Sequence, residues 1–194
     1  MTIKLFTASF LLIPALSYCQ TEATTKDGKK VILNTDMTWT YADCGALIET
    51  KTYPGGKVVT SSKEDIRVSA DGINGIDISI LKGTGLLIFN FAAVNKDIRC
   101  VHKDAPGIIE FTDGSKIRIK HMSDLNCKGN FSCFVGTGVG SEADAKVLHT
   151  KKIKKISMEY TKTENNAIVK YTEDFNVAPS QADKILKTIQ CLSN

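Results

Sequence analysis

Beyond the first twenty residues, the longest apolar run is Leu86 to Val94 (LLIFNFAAV), bounded by Gly83 and Gly85 on one side and by Asn95 to Asp97 on the other. Its β-branched and aromatic content, short length and flanking glycines predict a strand buried on both faces rather than a short buried helix. Downstream, Ile108 to Lys120 alternates around Asp113-Gly114. A two-residue loop there would set Phe111 against Lys116 and Ile109 against Arg118, mixing the faces. A three-residue loop, Thr112-Asp113-Gly114 with the glycine left-handed, pairs Ile109 with Ile117 and Glu110 with Lys116. The separation of apolar from charged positions selects the three-residue loop.

The same alternation continues on either side. Ile66 to Ser69 and Ile76 to Leu81 read as strands around Asp71-Gly72 and Asn74-Gly75, with Ile76, Ile78 and Ile80 alternating with Asp77 and Ser79. Ile98 to Lys103, Phe131 to Val135, Ile153 to Thr161 and Ala167 to Thr172 add further strands, the last two joined across Lys162 to Asn166. Connections this short favour antiparallel neighbours over parallel crossover units. Two helices interrupt the strands. One spans Glu142 to His149, where Ser141 and Asp144 make a capping-box-like start. The other opens at Ser180, with Asp183 three residues on, and carries Ala182, Ile185, Leu186, Ile189 and Leu192 as one apolar stripe. The predicted fold class is α+β, mainly β: an antiparallel meander sheet with one or two helices packed on it, plus an N-terminal β-hairpin.

That hairpin is predicted from Lys30 to Leu33 and Met37 to Tyr41, with Trp39 and Tyr41 as a large apolar payload. An isolated hairpin is marginal in water, so it must pack on something. Cys44 to Asp65 contains Tyr53-Pro54-Gly55-Gly56 and the polar run Ser61 to Asp65, which read as a linker. The expected organisation is therefore a signal peptide at 1–19, an aromatic hairpin and linker at 20–60, and a β-rich domain with a C-terminal helix at 61–194. In the leader, Lys4 precedes the apolar run Leu5 to Leu16, which ends in the small residues Ala15 and Ser17. It is too short for a mature membrane span and reads as a secretory signal. Cleavage fits after Ser17 or after Cys19, and lipoprotein processing at Cys19 is the minority alternative, because Tyr18 stands where a small residue is wanted. The chain is expected to be exported, to the periplasm, the outer membrane or the medium, with no later transmembrane span.

Composition changes this picture little. The formal net charge is +4, which gives no reason to expect nucleic acid as a partner. Gly136 to Ser141 precedes a helix and resembles a phosphate-cradling loop only in its glycines; it lacks the P-loop lysine and the dinucleotide fingerprint, so a loop feeding a capped helix is the simpler reading. Lys151, Lys152, Lys154 and Lys155, near Lys146 and His149, form the densest positive run. It could meet anionic lipid or glycan, but lysines guarding an edge strand against aggregation account for it more simply. Cys100, His102, His121, Cys127 and Cys133 are metal-ligand types without paired C-x-x-C spacing, and export favours disulfides over thiolates. No G-x-S-x-G nucleophile setting occurs. No catalytic residue, metal ligand or cofactor is assigned.

The N-terminal pattern DG-x-K-V-x-L followed by T-W-x-Y, carried by Asp27, Gly28, Lys30, Val31, Leu33, Thr38, Trp39 and Tyr41, resembles a segment of many uncharacterised exported proteins of Gram-negative bacteria. Asp36-Met37 replaces their usual Asp-Gly turn. The back half, with its T-K-K-I-K-K-I strand and closing Cys-Leu helix, is similar to the C-terminal region of exported bacterial proteins of unknown function. The resemblance implies an exported, hairpin-forming module and brings no activity with it.

An exported domain should bridge most of its cysteines. Cleavage after Cys19 would leave Cys44, Cys100, Cys127, Cys133 and Cys191; cleavage after Ser17 would leave all six. Cys100 and Cys127 lie at near-mirror positions about Asp113-Gly114 and are the first predicted bond. Cys133 to Cys191 is the second, with Cys44 left over. The functional expectation is a non-catalytic exported protein of the periplasm or cell envelope, a binding or structural module. The alternatives are a small hydrolase or zinc-dependent enzyme using His102 or His121, and a peripheral binder of anionic surfaces through Lys151 to Lys155.

Overall fold

The computed structural model, which describes residues 21–193 apart from 27, 29, 34–36, 38, 70, 95–98 and 137–141, contains the strands that the alternation predicts except the one expected at Ile98 to Lys103, where Arg99, Cys100 and Val101 make only isolated bridges, to Lys128, Thr161 and Asn126. The expected leader and most of the glycine loop lie outside the described residues. In chain order the elements are β1 (Thr21–Thr24), β2 (Lys30–Leu33), β3 (Trp39–Tyr41), α1 (Cys44–Leu47), β4 (Ile48–Thr52), β5 (Val58–Ser62), β6 (Ile66–Ser69), β7 (Gly75–Gly83) and β8 (Leu86–Ala93). There follow β9 (Pro106–Phe111), β10 (Lys116–Lys120), β11 (Phe131–Gly136), α2 (Glu142–Thr150), β12 (Ile153–Glu164), β13 (Ala167–Asn176) and α3 (Pro179–Ser193). The protein is α+β, mainly β, with every named strand pair antiparallel.

The strands divide among three sheets: β1-β2-β3, β11-β8-β7-β5-β4 with β6 also on β7, and β10-β9-β12-β13. Seven of the ten named strand pairings join strands that are neighbours in the chain. The β9–β10 hairpin pairs Ile109 with Ile117 and Glu110 with Lys116. Its three-residue loop is closed by the Phe111 N–H donating to the Ser115 carbonyl at 2.9 Å, with Gly114 at φ +84°. β12 and β13 are longer than the alternation predicts, because Asn165 and Asn166, at φ 49° and 62°, form a two-residue turn. Two consecutive left-handed residues match the twist of the flanking strands, so the ladder runs up to the turn without a break.

Two further expectations change. Leu87, Phe89 and Phe91 on β8 are buried while Ile88 and Asn90 are only half-buried, so the strand has one core face instead of two. The segment expected as a linker is α1 followed by the β4–β5 hairpin. Pro54-Gly55-Gly56 is its turn: Tyr53 N–H donates to the Lys57 carbonyl at 2.8 Å, and the glycines take φ +86° and +80°, where a side chain would be strained. β5 joins the larger sheet through Ser61 opposite Leu81, and the Ser62 hydroxyl accepts the Ile80 N–H at 3.1 Å.

The two larger sheets and α3 share one core, in which Ile80, Phe89, Phe131, Ile109, Tyr160 and Ile189 are wholly buried. Phe89 stacks on Phe91 at 5.9 Å, and Phe91 meets Phe131 edge-on at 6.1 Å. Each such side chain contributes about 2–3 kcal/mol by burial. α3 starts two residues earlier than a cap at Ser180 predicts. Pro179 takes the first helical position, and the Gln181 side chain reaches back to accept the Ala178 N–H at 2.9 Å, the acceptor half of a capping box. Among the described residues, no helix is long and apolar enough to cross a membrane.

Candidate functional site

Cys100 is bonded to Cys127 and Cys44 to Cys191, while Cys133 is a buried free thiol. The expected Cys133 to Cys191 bond is therefore replaced. On β11, Cys133 sits opposite Phe89 and turns into the core, where burial pushes its thiol pKa up. Cys191 sits instead on the side of α3 that meets α1, and Cys44, expected to be left over, opens α1. Two of the five sulfur and imidazole groups considered for zinc are thus consumed by one bond. Of the two histidines, His121 is wholly buried. Its Nδ1 accepts the Ser132 N–H at 2.9 Å and its Nε2 faces the Asp124 carbonyl at 3.4 Å, with Phe131 against the ring at 5.3 Å. Burial lowers its pKa. It is a neutral core histidine whose two nitrogens are both engaged, and His102 lies apart, in a groove beside Cys100 and Thr161. Among the described residues, Asp43, Cys44 and Cys191 come close enough to share an ion, but both sulfurs are in the disulfide.

The lysine run lies on and just before β12, which is an interior strand between β9 and β13. Edge protection therefore does not explain it. Each lysine faces a carboxylate: Lys151 is 2.6 Å from Asp113, Lys152 2.6 Å from Asp183, Lys154 3.3 Å from Glu110 and Lys155 3.0 Å from Asp174. Lys151 also donates to the Ser115 hydroxyl at 3.0 Å. The Lys151 hydrogen bond is the first cause holding the Asp113 carboxyl far below its usual range, with Ser115 next. Lys116 and then Lys154 lower that of Glu110. Most of the positive charge in the run is compensated at contact distance.

One pairing was not visible beforehand. The Ser193 hydroxyl lies 3.0 Å from His149 Nε2, which resembles a nucleophile and its base. However, Ser193 donates its proton to the Ile189 carbonyl at 2.8 Å. His149 is then the donor to Ser193, the reverse of what activation requires, and burial pushes the imidazole pKa down.

A cleft of about 650 Å³ lies between the β2–β3 hairpin and α3, within the range of small-molecule sites. Tyr41, Ala42 and Leu186 are half-buried and supply its apolar surface, with Cys191 behind them. Lys30, Lys152 and Lys187 line it together with Asp43 and Asp183. Lys187 is 3.5 Å from Asp43. The hairpin reaches this position because β3 runs through Ala42 and Asp43 into α1, which the Cys44–Cys191 bond holds against α3. Trp39, half of the apolar payload expected to make the hairpin pack, is 40% exposed and meets Tyr41 edge-on at 5.2 Å, while Val31 of this sheet is buried. Sequence patterning had picked out Tyr41 as needing a packing partner and Leu186 as part of the α3 stripe, but nothing local joins them. No protein-family model matches the chain, no curated protein matches it, and no solved structure matches it.

Proposed function

We propose that this chain is a non-catalytic exported protein of the bacterial envelope, a disulfide-stapled module that acts by binding. The observation carrying this reading is the commitment of its reactive side chains. Four cysteines are bridged and the fifth described one is buried. His121 is closed by backbone partners, and the Ser193 proton points away from His149. What remains open is a cleft with apolar walls and charged margins, an arrangement suited to holding a ligand. Disulfides on this scale fit an oxidising compartment. The test is cell fractionation followed by intact mass with and without reductant and thiol alkylation. The expected product lacks the leader, is found outside the cytosol and carries two disulfides. A full-length cytosolic chain with every cysteine alkylatable would overturn export. Stoichiometric zinc in protein purified without chelator would overturn the non-catalytic reading.

A further inference from the structure

Among the described residues, the charges lining the α3 cleft do not balance. Three ammonium groups, Lys30, Lys152 and Lys187, face two carboxylates, Asp43 and Asp183. Asp183 holds Lys152 at 2.6 Å, and Asp43 holds Lys187 at the longer distance of 3.5 Å. Lys30, exposed on β2, is left with no carboxylate within ion-pair distance among the described residues. The inner surface formed by Tyr41, Ala42 and Leu186 offers no titratable group apart from the tyrosine phenol. Such a site matches a ligand with an apolar body and one negative charge at its end. A dianion would have to displace Asp43 or Asp183 from its lysine, and a cation would meet the surplus ammonium.

We propose that this cleft binds a monoanionic amphiphile of the fatty-acid class, with the tail along Tyr41 and Leu186 and the carboxylate at Lys30, assisted by Lys187. The inference rests on the binding-module reading and adds the ligand class to it. Burial of the tail supplies the non-directional part of the affinity, and the single surplus lysine selects the head group, since specificity is a difference between head groups on the same tail.

The experiment is an amide-resolved NMR titration of the oxidised, leader-free protein with dodecanoate below its micelle-forming concentration. Dodecyltrimethylammonium, with the same tail and the opposite charge, is the control. Saturable shifts centred on Tyr41, Ala42 and Leu186 are expected. The cationic control should bind at least about tenfold more weakly, and Lys30→Gln should weaken dodecanoate by about tenfold. Leu186→Asp should abolish binding; because that change could disturb α3, Lys30→Gln, at an exposed strand position, provides the independent arm. No saturable binding, shifts centred elsewhere, equal affinity for the two head groups, or unchanged affinity in Lys30→Gln would each overturn the proposal. Those results in a protein that is still exported and oxidised would remove this ligand class and leave the binding-module reading in place.

Discussion

The two disulfides should contribute unequally, and the inequality can be worked from their spans. Cys44 and Cys191 are 147 residues apart, and Cys100 and Cys127 are 27 apart. In the chain-entropy model these closures constrain the denatured chain by about 5 and about 3.5 kcal/mol respectively. The smaller loop lies inside the larger one, shortening it from 147 to 120 links (147 − 27); this lowers the larger figure by only about 0.2 kcal/mol. Burial widens the gap. Cys44 and Cys191 are 6% and 4% exposed, whereas Cys127 is at the surface, so alanine at the first pair also costs core contacts, on the order of 1 kcal/mol. Cys44→Ala/Cys191→Ala should therefore destabilise by about 1.5–2.5 kcal/mol more than Cys100→Ala/Cys127→Ala. Urea unfolding followed by far-ultraviolet circular dichroism measures both, and the m-value should rise more in the first variant, whose denatured state expands more. Equal losses, or a larger loss from the Cys100–Cys127 pair, would refute the argument.

Three further outcomes follow from buried groups. Arg99 is 4% exposed, ion-paired with Glu173 and 5.3 Å above the Tyr160 ring. Glu173→Ala should cost about 3 kcal/mol by removing an ion-pair partner of that buried charge, and Arg99→Met/Glu173→Leu should recover most of the loss, as read from urea midpoints. Gly129→Ala should cost about 2–3 kcal/mol in the same assay, because a Cβ there, at φ +70°, would lie 2.7 Å from both Ala93 Cβ and Arg99 Cγ. Burial holds His121 and His149 below the ordinary imidazole value of 6.5. The denatured chain then binds more protons, so the stability these groups supply is complete above that value and is lost as pH falls through their folded pKa values. The urea midpoint should drop between about pH 7.5 and about pH 5.5, and His149→Gln should reduce the drop. The lowered carboxylates Glu110 and Asp174 act at lower pH, their ordinary values being 4.5 and 3.8, so a flat profile over that interval would count against the histidines.

The parts of the fold legible in the sequence were those whose register is decided within one hairpin. At Asp113-Gly114 a slip by one residue would have placed Lys116 against Phe111 in the core, so alternation alone chose the loop. The α3 stripe was legible for the same reason, since the residues that must be buried recur at helical spacing. Pro54-Gly55-Gly56 misled because the residues that make a flexible linker also make a tight hairpin turn. What separates the two is whether the flanking strands find a neighbour, and β5 finds it in Ser61 opposite Leu81 and in the Ser62 bond to Ile80, contacts that the local composition does not signal.

The candidate site was less legible because each of its parts takes meaning from a distant partner. Lys151 to Lys155 looks like a basic patch only while its carboxylates are out of view. Asp113 lies in a hairpin turn, Glu110 on β9, Asp174 on β13 and Asp183 on α3, and these converge on the run because β12 is flanked on both sides. Had β12 been an edge strand, the lysines facing its open side would have lacked the neighbouring acids, and the anionic-surface reading would have kept its strength. The α3 cleft is the opposite case. Its residues carry no signature because the site exists only where the hairpin meets the last helix, and the Cys44–Cys191 bond fixes that meeting. A cleft defined by a 147-residue separation can be read only after the pairing is known, so the cysteine left over in a sequence-based pairing was the one that positions the site.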